Sequence, residues 1–397
     1  MSDETNPNQS EAHPPLKALK RSLFLISFPI VFITFALPLH AEDIGASGLQ
    51  IGLLFASFTI SALIVRPLAG IGVDKFGRRP FLIAAMTFYL IANSLYAATE
   101  AFNALLVARI AQGFGFALLT ISAEAMTRDL TDRRTRAAAM GTNIESQTRG
   151  SMFGATIAFT FVGLVPVIAW RTSFAIFAVI SAIAIVSAII TLPETKKSAT
   201  KERTSAKFTM STNFVRLCVL IFIAAFAATM VQPFYLIYLR EKFSLELYWL
   251  ALIFLPVGVV SAILPSFLGR ITSKLNRATA MMIGIGVAGV MYSVVPNAPT
   301  LAFVIGAFTL SVSGSLLVEL TRSAWVGDMT QSETAGRAFG YAAVAIGGGG
   351  AMGPFLGGVI YDHYGAPMIF YTASVLMLAI FTYIATSDRG AISAPSA

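Results

Sequence analysis

Gly70-Ile71-Gly72-Val73-Asp74-Lys75-Phe76-Gly77-Arg78-Arg79-Pro80 places one acid and three cations in a segment too short to be a domain. The apolar runs on either side are each long enough to cross roughly 30 Å of hydrocarbon. The segment therefore reads as a tight, charged turn between two membrane helices. Its glycines permit a sharp reversal, and its acid and arginines can pair with neighbouring helix ends.

Composition agrees. Of 397 residues, 56% are hydrophobic and 12% charged, with mean hydropathy +0.75, whereas a soluble domain carries about 25% charged residues. A soluble globular chain is excluded, because apolar stretches long enough to span a bilayer recur throughout. The net charge of +8 comes from cations in short loops, without the basic stripe interleaved with aromatics that nucleic-acid binding needs. Cys218 is the only cysteine, so no intramolecular disulfide forms. His13, His40 and His363 are far apart, and no His, Cys and acid grouping has metal-ligand spacing.

Twelve spans are predicted, near 20–40, 48–70, 80–98, 102–126, 138–164, 171–192, 214–239, 247–268, 277–296, 299–322, 335–360 and 367–386. Residues 1–15 read as a disordered cytoplasmic tail, since a cleavable signal would begin with cations and reach its apolar core sooner. The polar, basic stretch TKKSATKERTSAKFTMS (195–211) separates two six-helix halves. The expected organisation is a bundle at 16–193, a cytoplasmic linker at 194–213, a second bundle at 214–386 and a cytoplasmic tail at 387–397. With the N-terminus cytoplasmic, 21 cations fall in inner segments and three (Arg171, Arg240, Lys242) in outer ones. The positive-inside rule supports this orientation, with both termini in the cytoplasm and the chain in the cytoplasmic (inner) membrane.

The halves repeat at an offset of 199. Gly269, Lys274 and Arg277 match Gly70, Lys75 and Arg78, and Asp328, Ala338, Gly340 and Gly353 match Asp129, Ala139, Gly141 and Gly154. Parallel six-helix repeats of this kind are a transporter architecture.

Three motifs add specificity. Gly70, Asp74, Lys75, Gly77, Arg78 and Arg79 meet a G-x-x-x-D-R/K-x-G-R-R/K pattern between the second and third spans. Arg109, Gln112, Gly113 and Gly115 meet R-x-x-Q-G-x-G in the fourth, and the sixth ends in Pro193-Glu194-Thr195-Lys196. On these residues the chain resembles the major facilitator superfamily over essentially all of 16–390, and among its members the twelve-helix drug:proton antiporters. Two features depart from those antiporters. The fifth span reads Gly150-Ser-Met-Phe-Gly154-Ala155 without the usual proline, the G-x-x-x-G-P-x-x-G pattern standing instead at Gly349, Gly353, Pro354 and Gly357. The first span also carries no acid.

The resemblance implies an all-α fold of two pseudo-symmetric six-helix bundles. Spans 1, 4, 7 and 10 are then expected to line a central cavity, and the 70–79 loop to latch the cytoplasmic side. Asp74 can face a positive helix N-terminus near Thr334. Arg78 can pair with Asp129, and Arg277 with Asp328 as a weaker counterpart, Ser273 replacing the acid. Candidates for the cavity or proton coupling are Arg109, Gln112, Glu124, the Glu145–Arg149 pair, Gln232 and the Glu319–Arg322 pair. Membrane-embedded charge is expensive, so it usually faces a cavity or a partner. Glu145 and Arg149 stand four apart, acid first, either as a static buried pair or as a switch released by protonation. Phe28, Phe32, Phe35, Tyr235 and Tyr238 lie on cavity spans, and Gln232 beside Pro233 marks a helix break.

The function expected is proton-coupled export of a small amphiphilic compound by alternating access. The alternatives are transport of an organic anion, sugar or siderophore-like metabolite, or a sensor with a transporter fold. The four intramembrane arginines against three acids (Arg66, Arg109, Arg149, Arg322; Glu124, Glu145, Glu319) favour an anionic cargo. No GxxxxGK[ST] loop is present and no cofactor is implied. A membrane enzyme would need catalytic or metal-binding side chains clustered at one depth, and the sequence has none. Partners are a small-molecule substrate, the proton and the bilayer, with no nucleic acid, and a monomer is sufficient.

Overall fold

A computed structural model describes residues 14–132, 135–164, 166–196, 210–245, 275–330 and 335–386, with 260, 264, 267 and 268 between. The described residues are helical, without strands. In chain order the helices are α1 (Pro14–Ile26), α2 (Pro29–Asp43), α3 (Gly48–Phe76), α4 (Arg78–Ala98), α5 (Phe102–Leu130), α6 (Arg136–Leu164), α7 (Pro166–Thr191), α8 (Thr212–Val231), α9 (Tyr235–Phe243), α10 (Arg277–Val294), α11 (Leu301–Asp328), α12 (Ala335–Tyr364) and α13 (Ala366–Thr386). A 3-10 turn, Val295–Asn297, follows α10.

Ten segments are long and apolar enough to cross a membrane. Two of them are broken helices. α1 and α2 form the span Pro14–Asp43, interrupted just before Pro29, and α8 and α9 form Thr212–Phe243, interrupted around Pro233. Proline lacks the N–H that would continue the ladder, so the chain turns and restarts. The 29-residue α6 falls outside the ten because Arg136, Glu145 and Arg149 sit among several Ser, Thr and Gln residues. The span expected at 247–268 lies almost wholly outside the described residues. The ten, α6 and that span are compatible with twelve.

The chain forms two units, Met1–Ala46 with Ser57–Glu202, and Ser47–Ala56 with Arg203–Ala397. Within the first, α1 packs on α6 and α7, and α4 on α5 and α7. Within the second, α8 packs on α12 and α13, and α10 on α11 and α13. The internal repeat thus recurs as the same packing pattern. Its closest point is a pair of glycine locks. A Cβ built on Gly150 or Gly154 of α6 would lie under 3 Å from the backbone of Phe24 or Phe28, and one on Gly349 or Gly353 of α12 would meet the backbone of Phe222 or Phe226. Small residues let membrane helices approach backbone to backbone, where packing rather than water drives association. Here they replace the missing proline pattern of the fifth span as the reason for Gly150 and Gly154.

The second unit also holds the first turns of α3. The Gly48 and Leu49 amides donate to the Asp362 carboxylate at 2.6 and 2.8 Å, satisfying N–H groups that a helix start leaves open.

The quoted segment is not a loop. Gly70–Phe76 completes α3 and Arg78–Pro80 begins α4, leaving Gly77 alone outside a helix. Gly77 has φ +104°, a backbone that L side chains rarely adopt. Gly70 has open space around it and makes no turn. The reversal therefore rests on one glycine.

Candidate functional site

The α3–α4 corner gathers charge because three helix ends meet there. Arg78 Nε donates to Asp129 Oδ2 at the end of α5 at 2.8 Å, and Nη1 to the Val73 carbonyl at 3.2 Å. Both side chains of the ion pair are mostly buried, Arg78 14% and Asp129 17% exposed, which separates it from surface pairs worth about 0–1 kcal/mol. Thr195 Oγ1 also donates to Asp129, and Asp74 stands 3.8 Å from Arg78 Nη2. Arg79 reaches the Ile189 carbonyl, and Lys196 Nζ donates to the Lys75 carbonyl at 2.8 Å. In the second unit, Arg277 Nε donates to Asp328 Oδ2 at 2.7 Å. Thr334 and Ser273 lie outside the described residues.

Glu194 completes the corner, and sequence reasoning gave it no role. Its carboxylate accepts from the Arg78 amide at 2.9 Å and the Arg79 amide at 3.1 Å, capping α4 from 116 residues away, and from the Lys196 amide at 2.8 Å. A Cβ on Gly77 would strike that carboxylate. The signal was the acid in Pro193-Glu194-Thr195-Lys196, which local spacing does not connect to residue 78. Partial burial alone would raise the Glu194 carboxyl, but the backbone N–H groups of Arg78, Lys196, Arg79 and Thr195 outweigh it and hold it below the ordinary glutamate value. A depressed carboxyl contributes stability above its unfolded value, and that contribution is lost as pH falls through the folded one. Glu194→Gln is therefore expected to lower thermal stability at neutral pH by about 0.5–1 kcal/mol, the low end for a helix cap because the site is exposed. Melting curves of both proteins from pH 7 down past 4.5 check this: the wild-type advantage should shrink at the acid end, and parallel curves would overturn it.

Arg109 is buried inside the first unit, 5% exposed. Nη1 donates to Gln112 Oε1 at 2.9 Å one turn on. The guanidinium sits 4.7 Å from the Phe58 ring centre, and Tyr96 and Tyr89 of α4 lie close by. Gly113 makes room for this, since a Cβ there would meet Ser61 and the Phe58 carbonyl. A cation held by an amide and aromatic faces is desolvated yet compensated.

Glu145 and Arg149 form an ion pair at 2.5 Å on α6, with Glu145 53% and Arg149 69% exposed. Glu319 and Arg322 on α11 stand 3.7 Å apart, the arginine mostly buried and the acid exposed. Glu124 and Gln232 are exposed, Gln232 in the break between α8 and α9. Most of the aromatic candidates are core. Phe32 packs on Phe159, Trp170, Phe174 and Phe177, Tyr235 stacks 3.7 Å from Phe308, and the Tyr238 hydroxyl donates to the Val295 carbonyl. Phe28 is likewise buried, with its backbone under Gly154. Among the described residues no group of His, Cys, Asp and Glu could hold a metal ion.

The family model described as the Major Facilitator Superfamily matches residues 22–321 and 217–395. The chain belongs to the Major Facilitator Superfamily. It is a multi-pass membrane protein of a transporter family. Multidrug resistance protein 1 of Bacillus subtilis (strain 168) is 25% identical over 230 residues, 58% of this chain and 57% of that protein. Quinolone resistance protein NorA of Staphylococcus aureus is 21% identical over 226 residues, 56% and 57% of the two chains. The chain thus spans rather more than half the length of these superfamily relatives. Among solved structures, a point mutant of the nucleoside transporter NupG gives TM-score 0.79 at 13% identity, covering 94% of this chain and 99% of that one. A bacterial homolog of the human lysosomal transporter Spinster gives 0.76 at 15%, covering 99% and 100%. These likenesses show the superfamily fold.

Proposed function

We propose that this superfamily member is a secondary active transporter that exports small amphiphilic compounds by alternating access, driven by protons. The observation that carries this is the Glu145–Arg149 contact, two charges well inside a 29-residue helix and both more than half exposed. Charge near the bilayer centre costs about 2.5 to more than 10 kcal/mol unless water or a partner compensates. Such a pair belongs on a water-filled path. Protonating Glu145 cancels one partner and frees the Arg149 guanidinium, which links a proton to a conformational or binding event. The drug-resistance names of the two sequence relatives supply the class of cargo. The protein works in the inner membrane as a monomer, with both termini cytoplasmic and the Asp74–Arg78–Asp129 corner acting as part of a cytoplasmic latch.

The test is flux into proteoliposomes containing the purified full chain, with an imposed pH gradient and a panel of cationic, neutral and anionic amphiphiles. Gradient-dependent flux is expected, falling roughly tenfold or more in Glu145→Gln while substrate counterflow without a gradient persists, a loss of about 1.4 kcal/mol in coupling. Flux indifferent to the gradient, or to Glu145→Gln, would sink proton coupling through this residue. A second reading, an organic anion as cargo, is favoured by the greater exposure of Arg149 than of its acid. The anionic arm of the panel decides it.

A further inference from the structure

Two apolar grooves run along the exposed face of α8. One, about 440 Å³, lies between α8 and α13, with Ile223, Leu376 and Ile380 in its wall. The other, about 430 Å³, lies between α8 and α12, with Phe222, Val344 and Ala345 in its wall. Val215 and Val219, both exposed, line both grooves and form the ridge between them. From Val215 to Ile223 the helix rises about 12 Å, so the first groove follows the helix axis for about two turns.

The polar groups sit at one end. Thr212, Arg216 and Tyr383 line the first groove where α8 begins and α13 ends, and Tyr341 lines the second near the start of α12. Arg216 and Tyr383 are exposed. Among the described residues no acid lines either groove. Acyl chains cover any apolar face in a bilayer. What distinguishes this one is a concavity on each side of a narrow ridge, with a guanidinium and a phenol where a headgroup would lie. A long cationic side chain keeps its charge at that level while its stem covers apolar surface.

We propose that this face holds one anionic phospholipid, its two acyl chains straddling the Val215–Val219 ridge and its phosphate on Arg216, with the Tyr383 hydroxyl as a second donor. The pairing is a cation meeting an anionic headgroup at the edge of the hydrocarbon.

Native mass spectrometry of the full chain in detergent tests it, with phosphatidylglycerol and phosphatidylcholine of identical acyl chains added in equal amounts. One phosphatidylglycerol per chain should be retained, several-fold over phosphatidylcholine. Arg216→Ala should lower its retention about fivefold, the contribution of one cation at an anionic membrane surface. Arg216→Lys should restore most of it, since the charge returns without the fork. Val219→Trp, which enlarges the ridge into both grooves, should displace both lipids. Arg216 is exposed, so its replacement leaves the helix packing unchanged. Equal retention of the two lipids, no retained lipid, unchanged retention in Arg216→Ala, or a co-purified polypeptide that cross-links to Val215 and Val219 would each overturn the proposal.

Discussion

Arg109→Ala is expected to lose transport by roughly tenfold or more while still folding, which corresponds to about 1.4 kcal/mol or more in the limiting step. The guanidinium is the one strongly buried charge described in the first unit, and it is held by the Gln112 amide and the Phe58 ring. Truncation leaves Gln112 Oε1 without its donor, a loss of about 1–3 kcal/mol. It also removes a desolvated cation, which offsets part of that loss. The melting temperature should therefore fall modestly and flux severely. Arg109→Lys keeps the charge but loses the planar face over Phe58 and the forked donors, so it should recover flux only in part. Proteoliposome flux beside melting curves for all three proteins separates the roles. Wild-type flux from Arg109→Ala would reduce Arg109 to a packing residue.

Gly154→Leu is expected to prevent assembly of the first unit. The new Cβ alone would lie under 3 Å from the Phe28 carbonyl, carbonyl carbon and Cα. Those are backbone atoms, which no rotamer change moves aside. Ordinary overpacking costs about 1–3 kcal/mol, and forcing two helices apart exceeds that range. The repeat supplies both a replicate and a control. Gly353→Leu meets the Phe226 backbone in the second unit and should fail in the same way. Gly141 and Gly340, another pair at the 199-residue offset, have open space for a Cβ, and leucine there should be neutral or slightly stabilising because it forms helix better than glycine. Size-exclusion profiles of the four proteins in detergent report the outcome. A monodisperse Gly154→Leu protein, or an aggregated Gly141→Leu protein, would contradict the glycine lock.

The described spans, their order and the two-part repeat were legible because hydropathy and a shared offset are properties of sequence alone. Helix ends were less so. The segment 70–80 holds three glycines and four charges, which reads as a loop, yet only Gly77 leaves the helix, since a glycine is permitted to turn rather than compelled to. The partners of Gly150 and Gly154 are carbonyl groups, which every residue has, so no side-chain pattern announces them. Arg109 was legible as an intramembrane charge, whereas its burial against α3 and α4 was not. Its helix face is fixed by periodicity, but whether that face meets a cavity or α3 and α4 depends on packing between segments far apart in the chain. The exposure of Glu145 and Arg149 was hidden for the same reason. Glu194 was quoted within a motif, while its capping of α4 depended on a fold that brings residue 194 to residue 78.

The lock between α1 and α6 also orders events during synthesis. Phe24 leaves the ribosome about 130 residues before Gly150, a delay of roughly 6–25 s at 5–20 residues per second. For that interval the first helix has its whole Gly-facing surface without a mate. The nascent first half can close only when its fifth span arrives, so the insertion machinery must shelter the opening span until then. The same wait recurs for α8 and α12 in the second half.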